Sequence, residues 1–336
     1  MVNNAYPLLE VDDLQVSFPL SGGNPLRLNR PRLHAVNGVS LRIHPGETLG
    51  LVGESGSGKS TLGRAILQLE KSTGGSVRFD GRNITHGLSS DIARLRRQTA
   101  MIFQDPYSSL NPRQTIGGGI AEVLRVHRKV PAAAVAARVA ELLTLVGLRP
   151  EQGRCRPGAL SGGQCQRAGI ARALALEPRL MVADECVAAL DVSIQGQIIN
   201  LLMDLRERMG LAILFIAHDL AIVRRLCDRV AVMYLGRIVE EGPAEQVFRV
   251  PRHPYTAALV AAIPEIDPDL PLPADPLAGE PPSPIAIPAG CAFHPRCRYA
   301  RPTCRTGAIP ATRHIADHAF ACVLDRTTGE AVLPFD

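Results

Sequence analysis

No apolar run in this 336-residue chain reaches the length of a bilayer-spanning helix; the longest, near Leu211 to Ile222, is short and interrupted by His218 and Asp219. The reading is a soluble protein, or one peripheral to a membrane. The opening Met1-Val2-Asn3-Asn4-Ala5 has no basic region leading into an apolar core, so no secretory signal is expected and a reducing compartment is. Neither sign of charge dominates. A net +5 suits an anionic membrane surface or nucleic acid without selecting either. Cys-x2-Cys knuckles, the usual mark of a zinc ribbon, are missing although eight cysteines are present. Cys155, Cys165, Cys186 and Cys227 stand singly, whereas Cys291, Cys297, Cys304 and Cys322 crowd the C-terminus. In a reducing compartment, metal explains that crowding better than disulfides do.

What is present begins with Gly53-Glu54-Ser55-Gly56-Ser57-Gly58-Lys59-Ser60, set between the apolar Thr48–Val52 and a helical pattern from Thr61 to Leu67. Strand, glycine loop and helix together make a nucleotide triphosphate site. The glycines let backbone N–H groups turn around an anion and the helix N-terminus adds its positive end. Lys59 is placed to reach the terminal phosphates and Ser60 to ligate Mg²⁺. Upstream, Leu14-Gln15-Val16-Ser17-Phe18 alternates as a strand ending near Phe18, an aromatic that either stacks on a base or fills core. Arg27, Arg30 and Arg32 read as a solvated loop, and Val39–Ile43 as a second strand.

Three further apolar strands end in chemistry-bearing residues. Thr99–Phe103 ends on Gln104, able to touch Mg²⁺ and an attacking water. Leu180–Ala183 ends on Asp184-Glu185, one acid to hold Mg²⁺ and its neighbour to orient water, or else a surface turn. Ala212–Ala217 ends on His218, which either bonds a γ-phosphate or is structural. Between them, Val130–Leu148 is Ala-rich and helix-periodic, consistent with a helical lobe. Leu160-Ser161-Gly162-Gly163-Gln164 opens another helix, with Ser161 at the N-cap and two glycines allowing close approach of an anion.

Taken in order, Gly53 to Ser60, Gln104, Leu160 to Gln164, Asp184-Glu185, Leu190-Asp191 and His218 resemble an ABC-type ATPase subunit over about Leu8 to Ile263. The resemblance implies an α/β P-loop NTPase of ABC type: a RecA-like core with an antiparallel β subdomain and a helical subdomain at about 105–178, then a small Cys-containing extension. It implies ATP and Mg²⁺ between one subunit's phosphate loop, from Gly53 to Thr61, and the other's Ser161-Gly162-Gly163-Gln164 helix. By the same resemblance Phe18 stacks on adenine, Gln104 links Mg²⁺ to the transport domains, Glu185 is the catalytic acid, His218 is the γ-phosphate switch, and Asp191 belongs to the nucleotide-contacting set. Phe103–Arg113, His253-Pro254-Tyr255-Thr256 and Gly290–Cys297 look like the bacterial peptide and nickel importer ATPases, most like the second ATPase of a dipeptide or oligopeptide permease.

That likeness implies a related second ATPase as partner in a heterodimer, two integral membrane permease subunits and an extracytoplasmic solute-binding protein. It places the chain on the cytoplasmic face of a bacterial inner membrane, with no nucleic acid partner. A soluble ABC ATPase of DNA repair or translation is the rival. A subunit with an impaired site that completes its partner's is another. Cys186 and Ala188 stand where the family usually has Pro and Ser, which frees a loop beside Glu185 and removes a hydroxyl; Ala159 replaces a common acid. The organisation expected is an ATPase domain at 1–263, a Pro-rich linker at 264–289 and an extension at 290–336. The tail spacing Cys291-x5-Cys297-x6-Cys304-x17-Cys322 offers four thiolates. Some relatives carry a [4Fe–4S] cluster there, which favours iron–sulfur over zinc or unligated and disulfide-bonded cysteines.

Overall fold

Apolar runs without alternation belong in strands covered on both faces, and that is where these runs lie. The computed structural model describes residues 6–20, 31–85, 87–263, 277 and 279–324, and the chain forms two compact units. One unit takes the chain up to Leu9, Ile43–Thr48 and Phe79–Ile216. Its sheet is parallel, in the order Ala212–Ile216, Leu180–Asp184, Thr99–Ile102, with Asp184 opposite Ile216 and Ala183 opposite Ile102. Every residue of the first two strands is buried. Their C-terminal ends therefore share one edge, which is where open α/β sheets place ligands.

Helices Ser89–Gln98, Ile116–Val126, Val135–Leu145, Gly162–Leu174 and Val192–Met209 complete this unit. Ile116–Val126 starts at Thr115, whose hydroxyl accepts from the Gly118 N–H. Val192–Met209 stops at Gly210, held at φ 62°, where a Cβ would be penalised. The Ala-rich stretch forms Val135–Leu145 after a short 3-10 turn at Ala132–Ala134. Pro131 ahead of that turn cannot donate a helical hydrogen bond, which delays the regular helix.

The second unit takes Glu10–Arg42, Leu49–Arg78 and the chain from Ala217 onward. Strands Arg32–Ile43, Leu9–Pro19 and Gly74–Phe79 lie side by side in that order. The strand expected at Val39–Ile43 begins seven residues earlier, at Arg32. Arg32 is exposed as expected but belongs to the strand and not to a loop: its guanidinium donates to the Ser17 hydroxyl and carbonyl, both at 2.9 Å, and anchors the extension. Arg27, Arg30 and most of the expected Pro-rich linker lie outside the described residues.

A second sheet in this unit runs Arg313–Ile315, His318–Phe320, Arg237–Pro243, Arg229–Tyr234, Thr48–Val52. Its last pair is parallel, with Val52 opposite Val232, and the others are antiparallel. Register slips between Ile238 and Glu240, and at that irregularity Val239 and Glu240 are both buried. The cysteine-bearing extension thus adds two strands to the sheet that carries the phosphate-loop strand. Phe320, Cys322 and Leu324 form a small core of their own, with Tyr299 packed against it.

Candidate functional site

Strand Thr48–Val52 runs into the glycine loop, where Gly53, Gly56 and Gly58 take φ of 151°, 78° and 103°. At two of these nothing larger fits. A Cβ on Gly53 would lie 2.1 Å from the Met233 carbonyl oxygen, and one on Gly58 2.0 Å from that of Ala35. Helix Lys59–Ile66 follows with no side chain capping its N-terminus, leaving that positive end to the loop. Lys59 is buried and its Nζ donates to the carbonyls of Gly53 at 2.8 Å and Glu54 at 2.9 Å. Ser57 is also buried, Ser55 and Gly56 are exposed, and Ser60 and Thr61 are half-buried. A fixed ammonium beside an uncapped helix end suits an oligophosphate.

In the other unit, Asp184 is the buried last residue of its strand and Glu185 follows at φ 45°, a sparsely populated conformation for a residue with a Cβ. The Glu185 N–H donates to the Ile216 carbonyl at 2.9 Å, which holds the turn. Gln104 Nε2 donates to Glu185 Oε2 at 2.9 Å. Two adjacent parallel strands therefore bring an amide and a carboxylate together at their C-terminal ends. Ser161 and Gln164 form a reciprocal cap, Ser161 N–H to Gln164 Oε1 at 3.0 Å and Gln164 N–H to Ser161 Oγ at 3.4 Å. Gly163 is buried, and a Cβ there would meet Ile194 at 2.6 Å. Asp191 is exposed at the N-terminus of Val192–Met209.

Sequence reasoning missed two residues that tie this unit's elements together. Tyr107 donates from its hydroxyl to the Leu160 carbonyl at 3.2 Å, linking the segment after Gln104 to the start of the Ser161–Gln164 helix. Gln195 donates to the carbonyls of Val187 at 3.1 Å and Leu190 at 3.0 Å. The loop after Glu185 is not freed by the absent proline. Ala188 N–H returns to the Glu185 carbonyl at 3.0 Å, and Cys186 is buried beneath it. Burial pushes the Cys186 thiol up to about 12. Iodoacetamide is expected to leave Cys186 unmodified in the folded chain and to reach it in urea, read by peptide mass spectrometry; rapid labelling of the folded chain would show that the loop opens.

Phe18 is half-buried at the end of Leu9–Pro19, and His218 is exposed beside Asp219, whose carboxylate caps helix Leu220–Leu226. The four tail cysteines converge on one small apolar cavity with His294 and Phe293. Burial raises the Cys291 and Cys297 thiols, the latter to about 11. None of the eight cysteines, all among the described residues, is in a disulfide. Among the described residues, no three His, Cys, Asp or Glu side chains are disposed to hold a metal ion. The expectation of a [4Fe–4S] cluster or zinc thus finds four thiols lining one cavity but no ligand set among the described residues.

Residues 36–188 match the ABC transporter family, and residues 239–304 match the C-terminal region of oligopeptide/dipeptide transporters. Over 320 residues the chain is 49% identical to the oligopeptide transport ATP-binding protein OppF of Salmonella typhimurium, covering 94% of this chain and 96% of that protein. The chain belongs to the ABC transporter ATP-binding family, and within it to the OppF type. This ATP-binding subunit is also 56% identical over 262 residues to the glutathione import ATP-binding protein GsiA of Escherichia coli K12, covering 78% of this chain and 42% of that one. Among solved structures it is similar to cbiO1 of Clostridium perfringens, part of the ABC transporter complex cbiONQ, at 30% identity and TM-score 0.62, over 72% of this chain and 91% of that one. The dimeric ATP-binding cassette MJ0796, bound to ADP and Pi, matches at 27% identity and TM-score 0.62, over 70% and 98%. The subunit is an ATPase that energises an ABC importer.

Proposed function

We propose that this ATP-binding subunit powers uptake of di- or oligopeptides through a membrane complex. The observation that carries the substrate class is the match of residues 239–304 to the oligopeptide/dipeptide C-terminal region, joined to near full-length likeness to an oligopeptide transport subunit. Nickel complexes stay a related alternative, since the membrane subunits and the binding protein select the solute. The partners are a second, related ABC ATPase, two integral permease subunits and an extracytoplasmic binding protein. Its place is the cytoplasmic face of the bacterial inner membrane; among the described residues no helix is long and apolar enough to cross it. The ATPase domain runs over 1–263 with its helical subdomain at about 105–178, and the extension over 290–336.

In this reading the loop from Gly53 to Thr61 cradles the phosphates of ATP, Lys59 offsets their charge and Phe18 stacks on adenine. Ser60, Gln104 and Asp184 would hold Mg²⁺, which neutralises phosphate charge when bound. Glu185 orients the water that attacks the γ-phosphate, and His218 bonds that phosphate. Gln104 reports its state to the permease. The Ser161–Gln164 helix, with Asp191, serves the ATP held by the partner ATPase.

The test is uptake into proteoliposomes that contain this subunit, its partner ATPase, the permeases and the binding protein. Uptake of labelled di- or oligopeptide that needs ATP and stops in Lys59→Ala supports the reading. Salt-sensitive binding to DNA or ribosomes by a chain that ignores the permeases would overturn it.

A further inference from the structure

A carboxylate inside a phosphate-binding loop is electrostatically misplaced unless something neutralises it, and Glu54 is such a group. Its partner comes from the cysteine-bearing extension. Arg296, in the turn His294–Arg296 and next to Cys297, places Nη1 2.6 Å from Glu54 Oε2 and Nη2 3.0 Å from Oε1. The Arg296 side chain is only 5% exposed and that of Glu54 25%, so this two-pronged pair is partly shielded from water and salt. Its hydrogen bonds to Glu54 hold the guanidinium charged. An aromatic cluster seats the turn: the Phe293 ring lies 5.3 Å from that of Tyr234 and 5.4 Å from that of Tyr255.

Glu54 is also held through its backbone. Its N–H donates to the Tyr255 hydroxyl at 2.8 Å, and its carbonyl accepts from Lys59 Nζ at 2.9 Å. One residue thus joins the extension, Tyr255 of helix Pro254–Ala261 and the phosphate-loop lysine. We propose that Arg296 is a positioning residue for nucleotide binding: it neutralises Glu54 and fixes the peptide that holds Lys59, so that affinity for ATP depends on the docked C-terminal extension. This rests on the reading of Gly53–Ser60 as the ATP site.

The test is equilibrium binding of adenylyl imidodiphosphate with Mg²⁺ to the full chain. Arg296→Ala is expected to weaken binding about tenfold, because an unpaired carboxylate then faces the phosphates. Arg296→Lys keeps the charge but not the fork and falls between. Glu54→Gln in the Arg296→Ala background is expected to recover most of the lost affinity, a rescue that a merely structural arginine would not show. Amide exchange at 53–60 should quicken in Arg296→Ala while that of 318–320 stays as in the wild type. Affinity within twofold of wild type, no recovery with Glu54→Gln, or loss of protection at 318–320 overturns the proposal. A wild-type chain that does not bind the analogue would instead sink the ATP-site reading, and exchange at 53–60 would still decide the role of Arg296.

Discussion

Glu185→Gln is expected to bind ATP as the wild type does and to hydrolyse it at least about a hundredfold more slowly, the usual share of a positioned general base. The substitution is nearly isosteric. The backbone hydrogen bond from the Glu185 N–H to Ile216 and the turn closed by Ala188 do not involve the carboxylate, so the strand end keeps its shape. An amide oxygen can still accept from Gln104 Nε2, which now lies 2.9 Å from Glu185 Oε2. What is lost is the negative charge that, in the role proposed for Glu185, orients and polarises water. Nucleotide affinity by equilibrium binding and phosphate release by the assembled ATPase pair would separate the two effects. Hydrolysis within threefold of wild type would show that Glu185 is not the acid, or that the partner's site carries all the turnover; the corresponding substitution in the partner distinguishes these.

The second large effect concerns stability. Glu240 is 1% exposed and accepts from the Arg252 N–H at 2.6 Å and the His253 N–H at 2.7 Å, with His318 Nε2 also 2.6 Å from its Oε1. Alanine at this position strands two backbone donors and an imidazole in the interior. Removing one partner of a buried charged, hydrogen-bonded group costs about 3–5 kcal/mol, and a loss of that size is expected. Melting should fall by about 10 °C and the urea midpoint with it. Glu240→Gln keeps one acceptor oxygen and should lie between. A drop of under about 1 kcal/mol would mean that water takes the place of the carboxylate. Because His318 stands on the strand that pairs with Arg237–Pro243, the extension should lose protease resistance before the rest of its unit does.

The candidate site's motifs were readable because their signals are local. The glycine loop with Lys59, the acids after Leu180–Ala183 and the cap at Ser161 each fit in a few consecutive residues whose chemistry follows from backbone geometry. The resemblance to an ordered family pattern then joined them. Glu240 and Glu54 were not readable in the same way. Glu240 sits in a charged pair on an alternating strand, and only a register slip after Ile238 turns it inward. Glu54 and Arg296 are 242 positions apart, and neither looks unusual among its neighbours.

The chain's order of residues by itself determined where a glycine loop joins a strand to a helix, which strands are buried on both faces, and which of their ends carry an amide or an acid. Those outcomes depend on local φ and ψ, on helix ends and on runs of apolar side chains. Tertiary structure alone decided which charges are neutralised, how the loop after Glu185 closes without proline, and that four cysteines share one cavity. The physical reason is that burial and pairing of a charge depend on partners brought from distant chain, which no local pattern encodes.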